Sequence, residues 1–101
     1  MAITICVTYP NLKEAKKISN YLFTKRLVAC VKFLPVKSQF WWRGHIQKTN
    51  EVMALLTTKK QNWTKVRDEI KKRHSYEVPC VEKISFEANK EYEGWIKEVV
   101  K

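Results

Sequence analysis

The chain has 101 residues, enough for one domain that buries roughly 60 to 70% of its unfolded surface, so residues 1–101 are read as a single unit. A hydrophobic fraction of 45%, with four Trp, four Tyr and four Phe, is that of a folded domain and excludes a low-complexity, disordered chain. Twenty Lys and Arg against ten Asp and Glu give a net charge of +10, which attracts polyanions at low salt and puts nucleic acid among the partners to be weighed.

The stretch "AITICVTY" alternates Ile3, Ile5 and Val7 against Thr4, Cys6 and Thr8, as a half-buried strand does, and should end at Pro10. Asn11 with Glu14 three positions later forms a capping-box pair. Leu12, Ala15, Ile18 and Leu22 then share one helical face, and Lys25 and Arg26 suit the negative end of the helix dipole. "LVACVKFLPVKSQFWW", residues 27–42, reads as a strand and "HIQKTNEVMALLTT" as its return partner, with Gly44 supplying the permissive backbone of the turn. Pro35 cannot donate a ladder hydrogen bond, so it should mark a bend, a bulge or an edge, and the long hairpin is expected to break there.

Thr58 and Gln61 make a second capping-box pattern before a helical stripe of Trp63, Val66 and Ile70 that ends in Lys71, Lys72 and Arg73. "VEKISF" is a short strand, Asn89 a candidate cap, and Tyr92, Trp95, Ile96, Val99 and Val100 have the spacing of an amphipathic helix. The order β-α-β-β-α-β followed by one helix is the split βαβ arrangement: an α+β, ferredoxin-like fold with an extra C-terminal helix and an antiparallel sheet. Right-handed crossovers place the first strand between the third and fourth.

A single copy of this fold is incomplete. Both faces of "LVACVKFL" and "VMALL" are apolar, yet helices on one side protect only that side. A strand of about 15 residues reaches about 50 Å, whereas a domain of this length is nearer 35 Å across. The hairpin must bend or overhang, and identical subunits packed on the open face and hairpin tip answer both observations.

No run of about 18 apolar residues is present to span a bilayer, and the start "MAITICVTYP" lacks a basic region and cleavage site, so the cytoplasm is the expected address and no membrane partner is expected. Cys6, Cys30 and Cys80 are odd in number and have no CxxC spacing, which suggests neither a disulfide framework nor a zinc knuckle. Two glycines in the whole chain exclude a Gly-rich phosphate loop. No catalytic residues are assigned, and the protein is not expected to be an enzyme.

"HSYEVPC", residues 74–80, carries three competent metal ligands, His74, Glu77 and Cys80, whose spacing could converge in a tight loop. The other reading has His74 at the helix C-terminus and Glu77 paired with a surface cation. "FWWRGHI", residues 40–46, sets aromatics beside Arg43, which suits base stacking or a subunit contact. The RNA-recognition module shares the element order, but its third-strand aromatic signature is absent from "EVMALLTT", and nucleic acid is not an expected partner.

Seven landmarks in order, "TYPN", "KRLVACVKFLP", "FWWRGHI", Glu51-Val52, "LLTTKK", "HSYEVPC" and "EYEGWI", make the chain resemble the CutA divalent-cation tolerance family along almost its full length. The resemblance implies a cytoplasmic homotrimer without enzymatic activity, active in the response to metal ions, that binds copper or another divalent metal, or a small ligand, at clefts between subunits. A PII-like regulatory or scaffold trimer with incidental metal binding is the alternative. Carried over by position, Trp42, Gly44, His74, Tyr76, Glu77 and Pro79 belong to that intersubunit cleft.

Three departures stand out: Ser75 replaces the usual proline, Cys80 the usual acid, and Thr57 a common lysine. Some members bind copper through a cysteine at the end of the first strand and the loop histidine. Here that strand position is Val7, and Cys6 should point to the opposite face. A thiol at Cys80 turns the loop toward softer ions.

Overall fold

The computed structural model describes residues 1–101. Strand β1 (Ala2–Tyr9) leads into helix α1 (Leu12–Thr24), strands β2 (Cys30–Trp42) and β3 (His45–Lys59), a 3-10 turn (Lys60–Asn62), helix α2 (Trp63–Arg73), strand β4 (Val81–Ser85) and helix α3 (Lys90–Val99). The sheet is antiparallel in the order β2-β3-β1-β4, so β1 lies between the third and fourth strands, as right-handed crossovers require.

Alternation along β1 sorts the molecule into layers. Ile3, Ile5, Val7 and Tyr9 join Ala54 and Leu56 on the face that Ala15, Ile18 and Leu22 of α1 and Val66 and Ile70 of α2 cover. Leu56 is fully buried and paired with Ile5 on one side and Val31 on the other. Withdrawing such a side chain from water contributes about 1.5–3 kcal/mol. The other face carries Cys6, Thr8, Met53, Leu55, Leu34 and Ile84. Leu34 and Ile84 remain exposed, so the open apolar face expected from the two-sided pattern is real. Helix α3 covers only its far end, where Ile96 and Val100 pack on Ala2.

The hairpin does not break at Pro35. Pairing runs without a skipped residue from Cys30 opposite Thr57 to Trp42 opposite His45, and Pro35 sits opposite Val52. Since β2 is an edge strand, the missing N–H of Pro35 deprives no neighbour of a bond. The chain overhangs instead: β1 pairs with β3 only as far as Val52, residues 36–51 continue as a two-stranded ribbon, and the molecule measures 45 × 24 × 21 Å. Arg43 (φ 50°) and Gly44 (φ 83°) close the ribbon, both in the left-handed region, as a two-residue hairpin turn demands.

Asn11 caps α1 by accepting the Glu14 N–H at 2.8 Å. The second capping pattern is not realised. Thr58 belongs to β3, is fully buried and donates its hydroxyl to the Leu27 carbonyl at 2.6 Å, while Asn62 stands at the α2 N-terminus without a capping bond. Asn62 donates instead to Thr58 Oγ1 (3.3 Å) and to the Lys101 carbonyl (3.4 Å), tying the chain end to this corner. Leu27 and Val28 are buried lead-in residues, and β2 begins three residues later than the apolar run suggests.

Candidate functional site

The end of α2 delivers the chain to the end of β1. Because β1 stops at Tyr9 while β3 continues as the ribbon, a gap opens beside β3 beyond Val52. The segment after Arg73 passes through it from the helical face to the open face. On the helical side the His74 ring stacks on Tyr9 with centroids 4.7 Å apart and planes 7° from parallel. On the open side Tyr76 donates its hydroxyl to Glu51 Oε2 at 2.6 Å.

Both imidazole nitrogens of His74 are engaged. Nε2 donates to the Thr8 carbonyl at 2.8 Å, and Nδ1 accepts the Tyr76 N–H at 3.1 Å. A carbonyl accepts and an amide N–H donates, so the ring is the neutral tautomer with its proton on Nε2. Glu14 Oε2 lies 3.5 Å from Nδ1 and accepts the Ser75 N–H at 3.0 Å, so the α1 carboxylate that a capping box would turn back to Asn11 holds this loop instead. Burial, then the nearby Glu14 charge, pushes the Tyr9 phenol far above its ordinary range. The Tyr9 hydroxyl is buried and has no protein partner.

The residues assigned to metal binding go different ways. His74 is buried with no free nitrogen, Glu77 reaches out to Arg43 Nη2 at 2.8 Å, and Cys80 donates its thiol to Glu82 Oε1 at 3.5 Å. No group of three His, Cys, Asp or Glu side chains within the chain is arranged to hold an ion. The donors of this chain therefore do not fit a metal centre, and His74 is a positioning residue of the loop. Desolvation first, then Glu82, pushes the Cys80 thiol up to about 11, so a soft ion would have to displace a firmly held proton. Val7 lies in the core and Cys6 on the opposite face, with its thiol raised by burial and by Glu82.

The cleft residues come together more closely. Phe40, Trp42, Gln47 and Thr49 of the ribbon and Ser75, Tyr76, Glu77 and Val78 of the loop line a groove of about 400 Å³. Trp42, Tyr76 and Glu77 are the predicted residues that line it. Gly44 closes the ribbon beyond it, His74 lies beneath it and Pro79 follows it. Arg43 spans the mouth, its guanidinium 5.3 Å from the Trp42 ring centroid and paired with Glu77. Tyr9, Glu14 and Glu51 are the residues that sequence reasoning did not place here. The available signal was Glu51 itself, a carboxylate at the head of an apolar strand run.

Burial of Tyr76 and its bond to Glu51 raise the phenol well above its ordinary range, which keeps it a hydrogen-bond donor at every physiological pH. The groove thus offers one charged pair at its mouth, the three rings of Phe40, Trp42 and Tyr76, and amide and hydroxyl groups from Gln47, Thr49 and Ser75. These groups can hydrogen-bond to and stack on a small polar molecule.

The family model described as "CutA1 divalent ion tolerance protein" matches residues 3–99. The divalent-cation tolerance protein CutA of Archaeoglobus fulgidus is 42% identical over 97 residues, 95% of each chain. The human protein CutA is 35% identical over 95 residues, 92% of this chain and 53% of the human one. Among solved structures, the periplasmic divalent cation tolerance protein CutA from A. fulgidus superposes with a TM-score of 0.96 at 41% identity over the whole of both chains. CutA1 from Pyrococcus horikoshii superposes with a TM-score of 0.94 at 31% identity over 98% of each. The fold, the overhanging hairpin and the 74–80 loop are thus those of a known group, and the chain belongs to the CutA1 divalent ion tolerance family.

Proposed function

We propose that the protein works as a CutA-type homotrimer that contributes to divalent-cation tolerance by binding copper, another divalent ion or a small ligand at clefts between its subunits. The observation that carries this reading is the Tyr76–Glu77 groove, which a single chain leaves open along one side. The surfaces that would close it are exposed and apolar: Trp41 at 73%, Ile46 at 50%, and on the open sheet face Ile84 at 49%. β2 and β4 are both unpaired edges. Trp42, Gly44, His74, Tyr76, Glu77 and Pro79 are the cleft residues, with His74 acting from beneath. Glu77 and Cys80 are the exposed side chains that an ion would have to draw away from Arg43 and Glu82, with its remaining ligands coming from a neighbour. The cytoplasm is the compartment proposed, since three free cysteines persist where thiols stay reduced.

One observation favours a second reading, a PII-like regulatory or scaffold trimer in which metal binding is incidental: both His74 nitrogens are engaged and no three-donor set exists in the chain. Native mass spectrometry of protein purified from its own cell, before and after titration with Cu²⁺ and Zn²⁺, separates the two. Three subunits carrying metal at stoichiometric, chelator-resistant occupancy is the expected result for the first. Trimers whose only metal is sub-stoichiometric and stripped by chelator support the second, and a monomer at micromolar concentration overturns both.

A further inference from the structure

Taking the Tyr76–Glu77 groove as the small-ligand cleft, we propose that its ligand is an α-amino acid with an aromatic side chain. Glu77 holds the ammonium, Arg43 the carboxylate, and the ring lies among Phe40, Trp42 and Tyr76.

The mouth of the groove holds two opposite charges in contact, Arg43 Nη2 and Glu77 Oε2 at 2.8 Å. The two side chains are 71% and 67% exposed, and an ion pair so open to water contributes little, so it parts readily. Once parted, it presents a guanidinium and a carboxylate side by side. A ligand with one charge satisfies one of them and leaves the other competing for its partner, whereas a zwitterion satisfies both. An α-amino acid joins its ammonium and carboxylate through a single carbon, so its charges match a pair in direct contact. The planar fork of arginine takes a carboxylate through two parallel N–H···O bonds. The Trp42 ring, 5.3 Å from the Arg43 guanidinium, keeps that cation at the mouth when its partner changes.

Below the mouth the groove suits an aromatic side chain. Alternation along the ribbon puts Phe40 and its partner Gln47 on the same face as Trp42 and Thr49. Tyr76 gives its hydroxyl to Glu51 and so offers the groove its ring. Rings of this kind receive another ring by offset or edge-to-face contact, and about 400 Å³ is within the range of small-molecule sites. The charges disfavour other occupants. No lysine lines the groove, and two carboxylates, Glu77 at the mouth and Glu51 behind Tyr76, stand against the one cation. A phosphate ester would bring further negative charge to a site with more acid than base. A simple amine would compete with Arg43 for Glu77 and leave the guanidinium without a partner.

The test is isothermal titration of the full chain with L-phenylalanine and with three probes that each lack one of its features. Phenethylamine lacks the carboxylate, 3-phenylpropionate the ammonium and glycine the ring. L-Phenylalanine should bind at least about tenfold more tightly than any of the three, the loss expected for one charge-assisted contact or one buried ring. Glu77→Gln should erase the difference between L-phenylalanine and 3-phenylpropionate, and Arg43→Gln that between L-phenylalanine and phenethylamine. Both side chains are exposed enough for these changes to leave the fold intact. Lys48→Gln, which removes a charge from the other face of the ribbon, should change neither difference. Equal affinity of the unaltered protein for L-phenylalanine and either half-charged probe overturns the proposal, as does a preference that survives both substitutions. Tighter binding of a half-charged probe, lost in the Arg43 or Glu77 variant, overturns the zwitterion and leaves the groove a ligand site. If none of the four compounds binds, the proposed ligand chemistry is overturned, and the native mass of the purified protein decides the cleft separately: a trimer retaining another small molecule keeps it, a monomer ends both.

Discussion

Tyr76→Phe isolates the contact that anchors the 74–80 loop to the hairpin. Glu51 is 6% exposed, and the Tyr76 hydroxyl reaches its carboxylate at 2.6 Å, within the range of a charge-assisted O–H···O bond. Deleting the hydroxyl leaves a buried carboxylate short of a donor, and bonds to charged groups contribute about 1.5–3 kcal/mol, so a loss of about 2 kcal/mol is expected. Glu51→Met removes the other partner while keeping the length of the side chain. Replacing both partners with apolar groups spares the desolvation penalty, so the double variant should lose less than the sum of the singles, with a coupling of about 1.5 kcal/mol or more. The assay is urea unfolding of the four proteins at one protein concentration, since association shifts apparent stability. Additivity within about 0.5 kcal/mol would show that the hydroxyl and the carboxylate do not act on each other, and the account of the loop anchor would fail.

Cys80 should alkylate tens of times more slowly with iodoacetamide near pH 8 than an unperturbed thiol does, because a thiol raised to about 11 has little thiolate there. Glu82→Gln, which removes the acceptor and its charge, should speed the reaction; mass-spectrometric rates on intact protein decide, and an unchanged rate removes Glu82 from the explanation. Gly44→Ala should destabilise the hairpin by about 1 kcal/mol through backbone conformation alone. Its φ is 83° and a Cβ there meets nothing within 4 Å. Hydrogen exchange confined to residues 36–51 should report the change, and a loss of several kcal/mol would mean that the turn is packed against something else.

Much of the fold is legible in local pattern because strands and helices declare their periods. The alternation of Ile3, Ile5 and Val7, the stripe Ala15, Ile18, Leu22 and the cap at Asn11 depend only on neighbours in the chain, and the structure has each of them. Thr58 was misread because a Thr followed three residues later by Gln is a capping pattern only when its hydroxyl has nothing better to bond. The Leu27 carbonyl, distant in sequence, supplies that better partner. Pro35 does lie on an edge strand, one of the places a proline suits, but the expected break is absent because a proline interrupts pairing only if its missing N–H faces another strand, and which strands lie at an edge is a property of the whole sheet.

The candidate site divides in the same way. "HSYEVPC" marks the loop in the sequence, and its spacing makes His74, Glu77 and Cys80 look like one ligand set. Stacking on Tyr9 turns the imidazole inward, the ribbon draws Glu77 toward Arg43, and Cys80 settles beside Glu82. Each of these partners is brought near by the meeting of β1, β3 and α2, and no local pattern encodes that meeting. From sequence alone come the element order, the two-sided apolar strands, the family and the excess of positive charge. The tertiary structure decided that the histidine is a strut rather than a free ligand, because burial and partnership arise only where distant segments close on one another.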